Sequence, residues 1–232
     1  MSITITKPEK QTRIRAMIIG ALLLAVFLSL WQLTVTAGWL TELAPTPART
    51  ATRAIEIFSD PFYYHGTTSV GIFWHLITSL RRVLIGFTIA TLIAVPVGFL
   101  LGRSTALRWA VDPIMQILRP VSPLAWLPLG LALLSGAERT AIFVIVLSAL
   151  WPTLVSTIDA VRGVNSTYIN LAATLGTPWW SRIIYVWLPA ALPGIITGLR
   201  LSLSTSWLVI IAAEMLVGGQ GIGLFLWNSW DT

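Results

Sequence analysis

Residues 16–36 of this chain include no charged side chain, and similar uncharged apolar blocks recur at 83–101 and 141–158. About 20 apolar residues is the length at which a helix crosses the hydrocarbon core of a bilayer. In that solvent every backbone N–H and C=O must be satisfied within the chain, which leaves helices or closed barrels. The blocks are continuous rather than alternating, so a polytopic bundle of membrane-spanning helices, an all-α fold, is expected. Over 232 residues, 56% are hydrophobic and 10% charged, too little charge to cover a soluble domain of this size. The formal net charge of +6 then reads as Lys and Arg holding loops on one side of a membrane. The lipid bilayer is the expected environment, and no nucleic-acid partner is expected.

Five spans follow from the pattern: 16–36, 83–101, 114–134, 141–158 and 190–216. The basic tail 1–15, with Lys7, Lys10, Arg13 and Arg15, is expected to stay in the cytoplasm, and the first span to be retained rather than cleaved. Segment 37–74 is expected outside, with a short surface helix opened by Thr46-Pro47 and ended by Asp60-Pro61. The helix of the second span can begin near Ile72, because no breaker intervenes. A basic turn at 102–112 precedes the third span, in which Pro120, Pro123 and Pro128 read either as packing kinks or as a broken helix lining a pathway. An outside loop at 135–140 and a cytoplasmic stretch at 159–189 complete the layout, and 217–223 turns before the chain stops at Thr232.

Cysteine is absent, which excludes disulfides and thiolate chemistry, and the two histidines, His65 and His75, are too few for a zinc site. The only lysines are Lys7 and Lys10, so no G-x-x-x-x-G-K-[ST] loop exists to cradle a nucleotide. The chain is therefore expected to be non-catalytic, with no cofactor of its own and with energy supplied by a partner or an ion gradient. Candidate pathway residues are Arg81 and Arg82, which either snorkel to outer headgroups or face a wet cavity, and Glu214, which needs a cation or a donor if buried. Ser202, Thr205 and Ser206, with Ser204, either offer hydroxyls to an anion or hold helices together.

Stretch 159–189 is the most informative. Leu171, Leu175, Trp179 and Ile183 recur at helical spacing, while Gly176 and Pro178 interrupt them, so two short helices joined by a turn are expected. Such an apolar-faced element lies on the membrane or docks into a groove of another protein. Its string Asn170-Leu171-Ala172-Ala173-Thr174-Leu175-Gly176, then nine residues, then Val186-Trp187-Leu188-Pro189 resembles the E-A-A-x-x-x-G and I-x-L-P halves of a motif in permeases of binding-protein-dependent ABC importers. Asn170 stands for the glutamate, Leu171 for the first alanine and Val186 for the isoleucine, whereas Ala172, Gly176, Leu188 and Pro189 match.

The resemblance covers nearly the whole chain. The segment from His75 to Phe87 is similar to permeases for nitrate, bicarbonate, sulfonates and taurine. The strings 58–62, 119–128 and 212–223, with Trp227 and Trp230, look closest to the nitrate and bicarbonate branch. What the resemblance implies is a single permease domain over 1–232 in an inner membrane, with the type I importer fold. It implies cytoplasmic ATPase subunits, carrying ATP and magnesium, docked on coupling residues Asn170, Leu171, Ala172, Gly176, Val186, Leu188 and Pro189. It also implies an extracytoplasmic substrate-binding protein and a second permease subunit, with a homodimer as the expected pairing. The family has a six-span layout, so the last helix is expected to be missing and the sequence to be a fragment. The expected cargo is nitrate, nitrite or cyanate, then bicarbonate or an alkyl sulfonate such as taurine. A gradient-driven carrier or channel and a non-transporting scaffold are the rival classes.

Overall fold

A computed structural model describes residues 10–39, 44–64 and 70–230. His65 and the tail 1–9 lie outside the described residues. The described residues are almost entirely helical, with no strand among them. The chain packs as two units, Met1–Tyr63 and Tyr64–Thr232.

In the first unit, α1 (Lys10–Thr36) is a single helix with exposed apolar side chains along its length. Helix α2 (Pro47–Ser59) starts where Thr46-Pro47 predicts. The Thr46 side chain accepts from the Arg49 N–H at 3.3 Å, and Asp60 is the C-cap.

The second unit is built on α3 (Ile72–Arg103), α6 (Ala137–Arg162) and α9 (Leu188–Val217). A Cβ placed on Gly86, Gly98 or Gly102 of α3 would run into Ile145, Thr157 or Val161 of α6, so the two helices are parallel and in close contact. Gly194 and Gly198 of α9 meet Ala160 and Ser156 of α6 in the same way, in antiparallel order. Small residues at these crossings let backbones approach where lipid offers no hydrophobic drive between helices. Thr153 adds a hydrogen bond across the second contact, donating to Ser202 Oγ at 2.8 Å.

Because α3 and α6 run the same way, the segment between them must carry the chain back. It does so as α4 (Thr105–Leu118), a 3-10 turn at Pro123–Trp126 and α5 (Leu127–Leu134). The third span is therefore not one helix over 114–134. Its two halves are bent by 84°, because Pro120 and Pro123 lack the N–H groups that would continue the ladder. The turn expected at 102–112 shrinks to Ser104, which ends α3 and caps α4. Among the described residues, four helices have the length and composition to cross a membrane, and a fifth crossing exists if the bent pair is one span.

The excursion expected over 159–189 is also shorter. Helix α6 continues to Arg162, and a π turn at Ile183–Trp187 joins α8 (Trp179–Arg182) to α9 without a break. Helix α7 (Ser166–Thr174) lies between. Beyond α9 the chain turns at Gly218–Gly221, within the expected 217–223, and enters a short helix, α10 (Ile222–Trp230).

Candidate functional site

Three places in the second unit hold the functional candidates. The first is the connection from α6 to α9. Asn165 caps α7, its side chain accepting from the Thr167 N–H at 2.8 Å. At the other end Gly176 takes a left-handed φ of 67°, the conformation that closes a helix at little cost only for glycine. The N–H groups of Gly176 and Thr177 then reach back to the carbonyls of Ala173 and Ala172. Pro178 opens α8, and Arg182 Nε donates to the Thr177 carbonyl at 2.8 Å, pinning the turn. Ala172 is buried beneath this corner, whereas Asn170, Leu171, Leu175, Gly176, Leu188 and Pro189 are exposed and Val186 is half-buried. Tyr168, Leu171, Leu175, Tyr185 and Val186 line an open apolar groove of about 640 Å³, beside stacked Trp179 and Trp180.

The second place lies at the opposite end of the bundle, where α10 folds back on α3. Glu214 is 1% exposed and Arg82 is 6% exposed. Arg82 Nη1 donates to Glu214 Oε1 at 2.7 Å and to the Gln220 carbonyl at 2.6 Å. Ser79 Oγ lies 2.8 Å from both carboxylate oxygens as donor and accepts from the Ile222 N–H at 2.9 Å. The Gly223 N–H donates to Glu214 Oε2 at 3.0 Å, and the Gly221 N–H donates to His75 Nδ1 at 3.0 Å. Arg82 therefore neither snorkels nor faces a wet cavity. It is the cation that a buried Glu214 requires. A Cβ on Gly221 would overlap the Glu214 carboxylate, so the glycine run exists to let this carboxylate in. Arg81, one residue earlier on α3, points elsewhere and pairs at the surface with Glu138.

The third place is a cleft of about 360 Å³ between α6, α9 and the segment before α5. It is lined by Arg119, Ser148, Trp151, Ser156, Leu201 and Thr205, among others. Of the pathway hydroxyls only Thr205 opens into it. Ser202 and Ser206 are fully buried, donating to the carbonyls of Leu199 and Ser202 within α9. With Arg82 and Glu214, they are turned inward by helix rotation, and a passing solute does not meet them here.

Residues 94–230, which include the α6–α9 connection, the cleft and the Glu214 half of the buried ion pair, match a family described as binding-protein-dependent transport system inner membrane component. The chain belongs to this family. As a permease it is 38% identical over 219 residues to the nitrate import permease protein NrtB of Leptolyngbya laminosa, covering 94% of this chain and 77% of that protein. It is 40% identical over 206 residues to the bicarbonate transport system permease protein CmpB of Synechococcus elongatus, covering 88% and 74%. With the taurine transport system permease protein TauC of Escherichia coli it shares 32% over 208 residues, covering 90% and 74%.

Two cations of this permease escape sequence reasoning. Arg119 sits just before the proline break, and Arg200 is exposed on α9 within an apolar run. The available signal was a charge inside a span, which is costly unless it meets water or a partner.

Proposed function

We propose that this permease is the membrane-crossing subunit of an ATP-driven importer that moves a small planar oxyanion, nitrate first, into the cell by alternating access. The observation that carries the reading is similarity at 38% and 39% to two proteins named nitrate import permease, each alignment covering more than nine-tenths of this chain. Bicarbonate is the second reading, favoured by 40% identity to a permease named for it. Both anions are trigonal and of similar size, and bicarbonate differs by carrying a hydroxyl donor.

In this reading the N-terminus and the α7–α8 corner are cytoplasmic. The exposed Leu171, Leu175 and Trp179 side chains enter a helix-binding cleft of a separate ATPase, which carries the nucleotide and magnesium. Closure of the two ATPases pushes on α7 and α8, and the unbroken passage from α8 into α9 turns that push into rotation of a span. A second copy of the permease faces the first, and an extracytoplasmic binding protein hands over the anion at the α10 end.

The substrate test is uptake of isotope-labelled nitrate and bicarbonate in cells with and without the gene. Nitrate uptake left intact on deletion, with bicarbonate or sulfonate uptake lost, overturns the choice of nitrate. For the coupling arrangement, Leu175→Cys introduces a lone thiol into a cysteine-free chain. Cross-linking from that position to an ATPase subunit is expected, and reaction only with reagents confined to the outside defeats the importer reading.

A further inference from the structure

We propose that Arg119 is the anion-contacting residue of the translocation path, placed where a hydroxyl-lined cleft inside the membrane meets a charged vestibule. The proposal rests on the anion-importer reading above and names the site that reading lacks.

Two cavities carry the argument. The cleft of about 360 Å³ offers the hydroxyls of Ser148, Ser156 and Thr205 against the apolar walls of Trp151 and Leu201. The second cavity, of about 190 Å³, is lined by Arg108, Asp112, Asp159 and Arg162. Arg119 and Val155 line both. Val155 stands about 10 Å from the Arg162 end of α6 at the usual helical rise, so Arg119 marks the neck between mid-membrane and that end. Arg108 and Arg162 line the second cavity together with the two aspartates.

The ion pairs among the described residues are Arg53–Glu56, Arg81–Glu138 and Arg82–Glu214, and Arg119 takes part in none of them. It is exposed at the C-cap of α4, its own backbone still helical, where the irregular link to the 3-10 turn begins. A guanidinium at this depth is unfavourable unless it faces water or a counter-charge, and its planar fork matches a trigonal oxyanion through two parallel N–H donors. Irregular backbone within a membrane is itself tolerated where it lines a cavity. The hydroxyls complete the shell. Ser148 and Thr205 donate to backbone carbonyls at 2.8 and 2.9 Å in this state and can rotate that donor towards an anion. The net charge of the two cavities, three arginines against two aspartates, draws an anion in without trapping it.

The first experiment measures uptake of labelled nitrate and bicarbonate by the complete importer in its host, at matched membrane levels. Arg119→Gln should lower uptake of the transported anion by at least about tenfold, the scale of a lost charge-assisted hydrogen bond. Arg119→Lys, which keeps the charge and loses the fork, should keep the larger part. Arg49→Gln, an exposed charge on α2, should change nothing. Uptake by Arg119→Gln within about twofold of wild type, at the same ratio of affinity to maximal rate, overturns the proposal.

The second experiment needs no transport. Thr205→Cys places a single thiol in the cleft. An anionic thiol reagent should modify it faster than a cationic one of equal size, nitrate should slow the anionic reagent, and adding Arg119→Gln should remove both effects. Equal rates for the two reagents, or no reaction with either, reject Arg119 as an anion site. If the wild type imports no small oxyanion, the proposed function fails while this labelling pattern still decides the role of Arg119.

Discussion

Replacing Arg82 by methionine keeps most of the side-chain volume and strips the cation from a carboxylate that is 1% exposed. At 2.7 Å and an effective dielectric constant of about 20, the attraction lost is ~6 kcal/mol. Much of that offsets the cost of burying both charges, so the net loss on removing one partner is about 3–5 kcal/mol. Glu214→Gln removes the other charge but keeps an acceptor for Ser79 Oγ and the Gly223 N–H, and should cost about 2–3 kcal/mol. With both substitutions no charge is left buried, so the double variant should cost less than the sum by about 2 kcal/mol or more. The assay is a double-mutant cycle on unfolding in mixed detergent, read with proteolysis at the Gly218–Gly221 turn. Additive effects, within about 0.5 kcal/mol, would refute the reasoning, because the two groups would then act independently.

Four further substitutions have expected outcomes. Gly221→Ala puts a methyl group into the Glu214 carboxylate and should destabilise by about 1–3 kcal/mol. Gly136→Ala, where nothing lies within reach, should leave the detergent melting curve in place. Gly176→Ala meets open space but a φ of 67°, which costs about 1 kcal/mol. Its melting point should fall by only about 2–4 °C, and ATP-driven uptake should fall further than that loss explains if this corner transmits force; unchanged uptake at unchanged ATPase rate would remove that role. Thr153→Val breaks the α6–α9 hydrogen bond and should cost about 0.6–2 kcal/mol, with Ser202→Ala adding little on top in a thermal cycle.

Much of the helical layout was legible because its causes are local. An uncharged run fixes a span, Thr46-Pro47 starts α2, and Gly176-Thr177-Pro178 divides the α6–α9 connection, each within a few residues of chain. Prolines at 120, 123 and 128 left a kink and a break equally open, since the outcome depends on whether neighbours re-satisfy the freed carbonyls. Helix ends were misplaced at 102–112 and 159–189 because capping by Ser104 and the π turn before α9 cost too little composition to be seen.

The side-chain assignments divide differently. That Glu214 would need a cation was contained in its apolar context, but which cation was not. Arg81 and Arg82 are adjacent in sequence, and a helix turns 100° between neighbours, so one enters the core and the other reaches the surface only once α3 has been set against α9. Ser202, Ser206 and Thr205 separate for the same reason. Sequence alone settled that this chain is a bundle of membrane helices with an exposed corner, because solvent and backbone hydrogen bonding act on each segment by itself. Which charges meet, which hydroxyls are left open and where Arg119 stands were settled by the parallel α3–α6 and antiparallel α6–α9 contacts, since helix rotation is fixed by packing between segments far apart in the chain.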